Sequence, residues 1–296
     1  MCHLFGLSAA PRRVRATFWL MEAPLSLAEQ SHGEPDGTGL GTFTADGTPL
    51  VEKQPLAAYA DAAFATEAKT RESATFVAHI RFATMGRLDA NNTHPFVQRD
   101  RVFAHNGDIG DLPALEAELG PYLDLVRGDT DSERYFALIT KHVDDNGGDV
   151  AAGITAAATW IAENLPLTSI NFVLVSALEL WALRYPATHD LLMLDRVAGG
   201  ASGRRPLRHA AVEPRRIGAR STDLTRHGAV VVATEPMDED PGWSELRPGE
   251  LLHVGPNHEV SRTLVLPHPP RRPMRLEDVE ARVAATRAEP GAPPER

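Results

Sequence analysis

The chain has 296 residues, long enough for one large domain or two small ones, with 43% apolar and 24% charged residues. These values match a globular protein and exclude disorder or a fibrous repeat over the whole length. Forty acidic residues against 30 basic ones leave a net charge of -10, which argues against nucleic acid or an anionic membrane as partner, because both need a concentrated basic surface. No apolar run approaches the ~20 residues of a membrane helix, and no secretory signal is legible at the N-terminus, so a cytoplasmic protein is expected.

Residues 2–8 predict a strand that starts almost at the first residue. Ser31 to Gly41, rich in Gly, predicts a loop, and Leu50-Val51 a strand end. Pro55 is expected to open a helix with Leu56, Tyr59 and Ala63 at helical spacing. Phe76 to Phe82 and Arg101 to His105 read as buried strands, the second stopped by Asn106-Gly107. Asp111 is placed to cap a short helix carrying Leu112, Leu115 and Leu119. Thr130 and Glu133 have capping-box spacing ahead of Phe136, Ile139 and Val143. Gly147-Gly148 breaks that helix, and Val150 to Leu165 form another.

Five more strands are expected: 171–176, 178–185, 191–194, 229–234 and 250–254. A last one follows at 261–266. Many strands are apolar on both faces, so each sheet should be covered on both sides, in α+β layers rather than alternating βαβ units. Residues 199–227, rich in Arg, Gly, Ser and Pro, read as an exposed connection. Residues 267–296 read as a Pro/Arg/Glu-rich C-terminal tail, partly disordered.

The single cysteine is Cys2, so neither an internal disulfide nor a Cys-based metal cluster is available. Removal of Met1 would leave a thiol and a free α-amine on one residue. Such an amine, with a pKa near 7.7–8.0, makes a self-contained nucleophile–base pair. Asn106 and Gly107 at a strand end can aim a side-chain amide and a backbone N–H at one point, as an oxyanion hole requires. Arg81 can hold a carboxylate through two parallel bonds. Asp131, in the first turn of a helix, can grip a cationic amine. Taken singly, each has a plain alternative: a strand cysteine, an Asn-Gly turn, a structural ion pair, a helix-start carboxylate. His94 and His105 read as structural supports of the surrounding loops. Together, the four features describe a pocket for an α-amino acid whose side-chain amide is attacked, namely glutamine or a γ-glutamyl amide.

The motifs MCHLFG at the N-terminus, HIRFAT (79–84), NTHPF (92–96), HNGD (105–108) and GDTDSE (128–133), in this order, resemble those of the class II glutamine amidotransferases. The resemblance is tight over residues 1–140 and extends to about residue 266 through VVATEPMD (231–238). It implies a four-layer αββα sandwich of the N-terminal-nucleophile hydrolase type over residues 1–266. It implies Cys2 as nucleophile, Asn106 and Gly107 as oxyanion hole, and Arg81, with Thr84, on the α-carboxylate. Asp131 is implied on the α-ammonium, and no metal or organic cofactor is implied.

Phe82, where many members have Trp, Met85, where several have His, and Thr38 in the early loop depart from the family pattern. The expected function is hydrolysis of the glutamine side-chain amide through a γ-glutamyl thioester, releasing glutamate and ammonia. The ammonia acceptor is expected on another chain, a separate synthase; a homo-oligomer is compatible with this. The alternatives are a γ-glutamyl amide hydrolase acting on a larger metabolite, as in ergothioneine biosynthesis, and a catalytically silent binding or regulatory protein on the same scaffold.

Overall fold

A computed structural model describes residues 2–33, 36–81, 88–198, 207–209, 219–221, 227–275, 277 and 279. Its strands in chain order are β1 (His3–Ser8), β2 (Thr38–Phe43), β3 (Pro49–Gln54), β4 (Thr75–Ile80), β5 (Phe96–Gln98), β6 (Arg101–Asn106), β7 (Pro166–Leu167), β8 (Asn171–Val175) and β9 (Leu180–Arg184). They continue with β10 (Leu192–Arg196), β11 (Leu207–His209), β12 (Ala219–Ser221), β13 (Ala229–Ala233), β14 (Ser244–Glu245), β15 (Glu250–Val254), β16 (Val260–Leu264) and β17 (Arg272–Pro273). The α-helices are α1 (Leu27–Gln30), α2 (Ala62–Thr70), α3 (Leu112–Leu119), α4 (Asp131–Asp145) and α5 (Val150–Asn164).

Two antiparallel sheets form the centre, one in the order β14-β10-β13-β1-β4-β2-β3 and the other β16-β15-β9-β8-β6-β5. Period-two alternation along the strands splits their side chains between cores. Leu4, Val102, Ala104, Val173, Val230 and Val232 meet between the sheets. Phe5, Leu7, Val231 and Ala233 turn outward onto Phe64 and Ala68 of α2. Phe103, Phe172 and Leu174 turn the other way onto Tyr135, Phe136, Ile139, Ile154 and Ile161 of α4 and α5. Three apolar layers therefore separate four layers of elements, and the expected αββα sandwich is the one found.

Local signals account for the helix ends. The Thr130 hydroxyl accepts from the Glu133 N–H at 3.3 Å and starts α4, which satisfies one of the orphan donors of its first turn. The reciprocal half of the capping box is not made: the Glu133 carboxylate instead accepts from the N–H groups of Arg127 and Gly128. Asp149 caps α5 through the Ala152 N–H at 3.0 Å. Asp111 precedes α3 as expected but makes no side-chain cap bond.

Two expectations are corrected. The glycine-rich stretch read as a loop up to Gly41 is strand from Thr38 onward, six residues paired with β3, the first four of them also with β4. Gly39 is there for space, because a Cβ on it would lie 2.1 Å from the His94 carbonyl oxygen. The helix expected from Pro55 begins only at Ala62, where the buried Asp61 carboxylate caps the N–H groups of Ala63 and Phe64; a short 3₁₀ turn, Ala58–Ala60, precedes it. Residues 82–87, with Phe82, Thr84 and Met85, lie outside the described residues, as do most of the 199–227 connection and nearly all of 276–296. Among the described residues, no helix is long and apolar enough to cross a membrane.

Candidate active site

One end of the sandwich collects the expected residues. Strand β1 pairs with β4 with His3 opposite Ile80, so continuing that register sets Arg81 across from Cys2. The alternation that turns Leu4 toward the second sheet also turns Cys2 that way. From that sheet, Asn106 ends β6, and its side-chain Nδ2 donates to the Cys2 carbonyl oxygen at 2.8 Å. An amide NH₂ carries two hydrogens, so one donor remains for a ligand.

Gly107 follows with φ +148°, and a Cβ there would lie 1.9 Å from the Ser169 carbonyl oxygen. Only glycine fits this close, left-handed passage. The chain is then fastened along residues 166–169. Asp108 N–H donates to Thr168 Oγ1 at 3.0 Å, the Thr168 N–H to the Asp108 carbonyl at 3.0 Å, and the Gly110 N–H to the Pro166 carbonyl at 2.7 Å. The Gly107 N–H is thus held on a clamped segment beside Asn106.

Asp131 is the first residue of α4 and is buried. Its Oδ2 accepts from the Ile109 N–H at 2.7 Å and its Oδ1 from the Ser132 N–H at 2.8 Å. It therefore braces the segment after Gly107 against α4, a role the sequence did not reveal. Oδ1 also accepts from the Ser132 hydroxyl at 3.4 Å, so Oδ2 is the oxygen that keeps a lone pair for a further donor. Burial raises the Asp131 pKa, and the N–H bonds to Ile109 and Ser132 work against that rise.

Arg81 is also buried, and its backbone N–H donates to the Gly37 carbonyl at 2.8 Å. Burial lowers the pKa of its guanidinium, while the charges of Cys2, Asp36, Asp89 and Asp131 act in the opposite direction. Cys2, Arg81 and Asp131 thus share one electrostatic environment. Asp36, in the early loop that departs from the family pattern, and Asp89, which no motif had marked, also belong to it.

The motif histidines sit beneath this site. His105 Nδ1 lies 3.0 Å from Ser132 Oγ and its Nε2 lies 3.3 Å from the Ser169 carbonyl, tying β6 to α4 and to the clamp strand. His79 and His94 pack against each other with ring centroids 4.1 Å apart and planes tilted by 38°. Burial pushes all three pKa values down, that of His105 to about 4. At neutral pH these rings are uncharged supports, in keeping with the structural part expected of His94 and His105. Asn92 joins the motif loops: its Oδ1 accepts from the Asp129 N–H at 2.7 Å. Among the described residues, no group of three or more His, Cys, Asp or Glu side chains is arranged to hold a metal ion. Cys2, Asn106, Gly107, Arg81 and Asp131 all lie at this one end. Thr84 is outside the described residues.

This arrangement offers a thiol, an amide side chain bonded to the same residue's carbonyl, a backbone N–H on the residue after the amide, a buried cation across from the thiol, and a buried carboxylate within electrostatic reach of that cation. The family model of class II glutamine amidotransferases matches residues 1–276. The chain belongs to that family. It is 33% identical over 125 residues to DUG3 of Saccharomyces cerevisiae, described as a probable glutamine amidotransferase; the match covers 38% of this chain and 35% of the yeast one. It is 26% identical over 272 residues to the gamma-glutamyl-hercynylcysteine sulfoxide hydrolase of Mycolicibacterium smegmatis, covering 88% of this chain and 98% of that one. The fold matches glutamine phosphoribosylpyrophosphate amidotransferase of B. subtilis with a TM-score of 0.58 at 16% identity, over 90% of this chain and 50% of the other. The chain thus spans about a third of the yeast relative and half of the B. subtilis enzyme.

Proposed function

We propose that this protein hydrolyses the side-chain amide of glutamine through a γ-glutamyl thioester on Cys2, with residues 1–266 as the catalytic unit. The observation that carries the proposal is the approach of Asn106 Nδ2 to the Cys2 carbonyl at 2.8 Å, in a register that faces Cys2 with Arg81. With Met1 removed, the Cys2 α-amine takes the thiol proton and Sγ attacks the amide carbon. A C–S bond forms, and the negative charge on oxygen falls between the second Asn106 N–H and the Gly107 N–H. The ammonium returns its proton to the leaving nitrogen, the C–N bond breaks and ammonia departs. Water, deprotonated by the same amine, then attacks the thioester; the C–S bond breaks, the ammonium returns the proton to Sγ and glutamate leaves.

Arg81, assisted by Thr84, holds the α-carboxylate, and Asp131 holds the α-ammonium. A bound ammonium would offset the burial that raises the Asp131 pKa. We assign the ammonia-accepting step to a partner chain.

A second substrate reading has one observation in its favour. The gamma-glutamyl-hercynylcysteine sulfoxide hydrolase matches over nearly its whole length, whereas the yeast relative matches over about a third. The same thioester chemistry would then release a larger amine. Both readings are tested by incubating the purified protein with glutamine and with a panel of γ-glutamyl amides and measuring released glutamate. Turnover of glutamine at least as efficient as that of the amides supports the first. A strong preference for a bulky amide supports the second, and no glutamate from any of them would contradict both.

A further inference from the structure

Strand β10 runs antiparallel to β13 with Leu192 opposite Ala233, and Ala233 stands opposite Phe5. The turn before β10 therefore delivers residues 186–191 to the same end of the first sheet as Cys2. Within that turn, His189 is fixed by its carbonyl oxygen, which accepts from Asn171 Nδ2 at 3.1 Å and from Arg184 Nε at 3.0 Å. Asn171 in turn stands opposite Asn106 in the β6–β8 pair, and Asn106 bonds the Cys2 carbonyl. A short relay of two asparagines thus links the backbone of His189 to that of Cys2.

The ring of His189 is almost fully enclosed, at 6% exposure, and its Nδ1 has no hydrogen-bond partner among the described residues. A buried ring nitrogen left without a partner is costly, and such groups in native proteins have a reason. Of the neighbouring histidines, His3 Nδ1 lies 3.4 Å from Glu235 Oε1 and from Thr234 Oγ1 and His105 is held by Ser132 and Ser169, whereas the rings of His79 and His94, also without hydrogen-bond partners among the described residues, pack against each other.

We infer that His189 is a positioning residue for the Cys2 α-amine: with its proton on Nε2, Nδ1 accepts one amine N–H and turns the remaining lone pair toward Sγ. This rests on the N-terminal mechanism proposed above. Burial lowers the His189 pKa, Asp108 and Asp190 oppose that, and His105 adds to it. The ring is therefore an uncharged acceptor at neutral pH. The charged groups around the two residues are Arg81, on which Cys2 and Asp131 act, Asp108 and Asp190, which act on His189, and Glu235 beside His3. His3 on β1 is uncharged, its pKa lowered to about 4 by burial and then by the chain terminus. An acceptor on the amine favours its protonated form and so raises its pKa.

The test uses full-length wild type, His189→Ala and His189→Asn, each checked for Met1 removal and for folding by thermal melting. Asn places an oxygen acceptor near the position of Nδ1. Two readouts are taken: the acid limb of kcat for the substrate turned over, and the pH midpoint of N-terminal amine acylation by acetic anhydride, read by peptide mass. In His189→Ala, kcat is expected to fall about tenfold with KM within about twofold, and both midpoints to move down by roughly one pH unit; Asn should restore most of both. A folded Ala variant with both midpoints at the wild-type pH, or an Asn variant shifted as far as Ala, would overturn the assignment. The amine titration needs no turnover, so an inactive wild type would refute the proposed function while the acylation midpoints still decide the role of His189.

Discussion

Asn106 shows how much one residue's chemistry depends on its place. As a turn residue it would tolerate Gly or Asp, since both adopt such turns. At the end of β6, with one N–H on the Cys2 carbonyl, it has a second N–H to offer to a developing oxyanion. Asn106→Gly is therefore expected to lower kcat for amide hydrolysis by roughly 10²–10³ with little change in KM; a folded variant keeping a third of wild-type kcat would refute that role. Arg81→Lys keeps the charge but loses the fork, so KM should rise by about ten- to a hundredfold. Unchanged KM would displace the carboxylate site. These residues were legible because their chemistry is written in the residue type and in motif order. The bracing role of Asp131 was not legible, because its partners, the N–H groups of Ile109 and Ser132, are backbone donors that any residue carries. The electrostatic link between Asp108 and His189, 81 positions apart in sequence, was not legible for a related reason: the turn into β10 creates it.

At the scale of elements, the strands with continuous apolar runs and the capped helices α4 and α5 were read within a residue or two, because period and cap are local. The failures came where tertiary packing decides. Glycine in β2 looked like a loop, yet Gly39 is the residue that lets β2 pass the His94 carbonyl. Leu56, Tyr59 and Ala63 fall at helical spacing, but the cap is Asp61, and Leu56 and Tyr59 remain exposed. Gly39→Ala would place a methyl group on a carbonyl oxygen and on the Pro95 ring. It is expected to destabilise the fold by about 1–3 kcal/mol, measured by urea denaturation, and to weaken activity by shifting the NTHPF loop. Wild-type stability in that variant would show that the close approach is softer than the geometry implies. In β8, Phe172→Ala would open a cavity against α4 and should cost about 3–5 kcal/mol.

Across the whole molecule, the two sheets bury uncharged histidines under a pocket lined with charge. The pKa of His105 falls from 6.5 to about 4 on folding, through burial. Between those pH values the unfolded chain binds more protons than the folded one, so this contribution to stability is lost as pH drops from 6.5 toward 4. For one such histidine the loss is roughly 3 kcal/mol, and the lowered pKa values of His79 and His94 act in the same direction. Stability measured by urea denaturation should decline steeply from pH 7 to pH 5. His105→Asn should flatten that slope, and an unchanged slope would show that the ring is not buried neutral. Strands apolar on both faces foretold covered sheets in α+β layers, and the four-layer αββα sandwich was what the resemblance implied. The meeting of β1, β4, β6 and α4 at one end came only from the resemblance, because strand order is not encoded locally. The account depends most on Cys2 as the nucleophile. The most direct test is the rate of glutamate release from glutamine by Cys2→Ala against wild type, with matched melting curves. A loss of at least a thousandfold in a folded variant is predicted, and a folded Cys2→Ala protein retaining more than about one hundredth of wild-type turnover would contradict it.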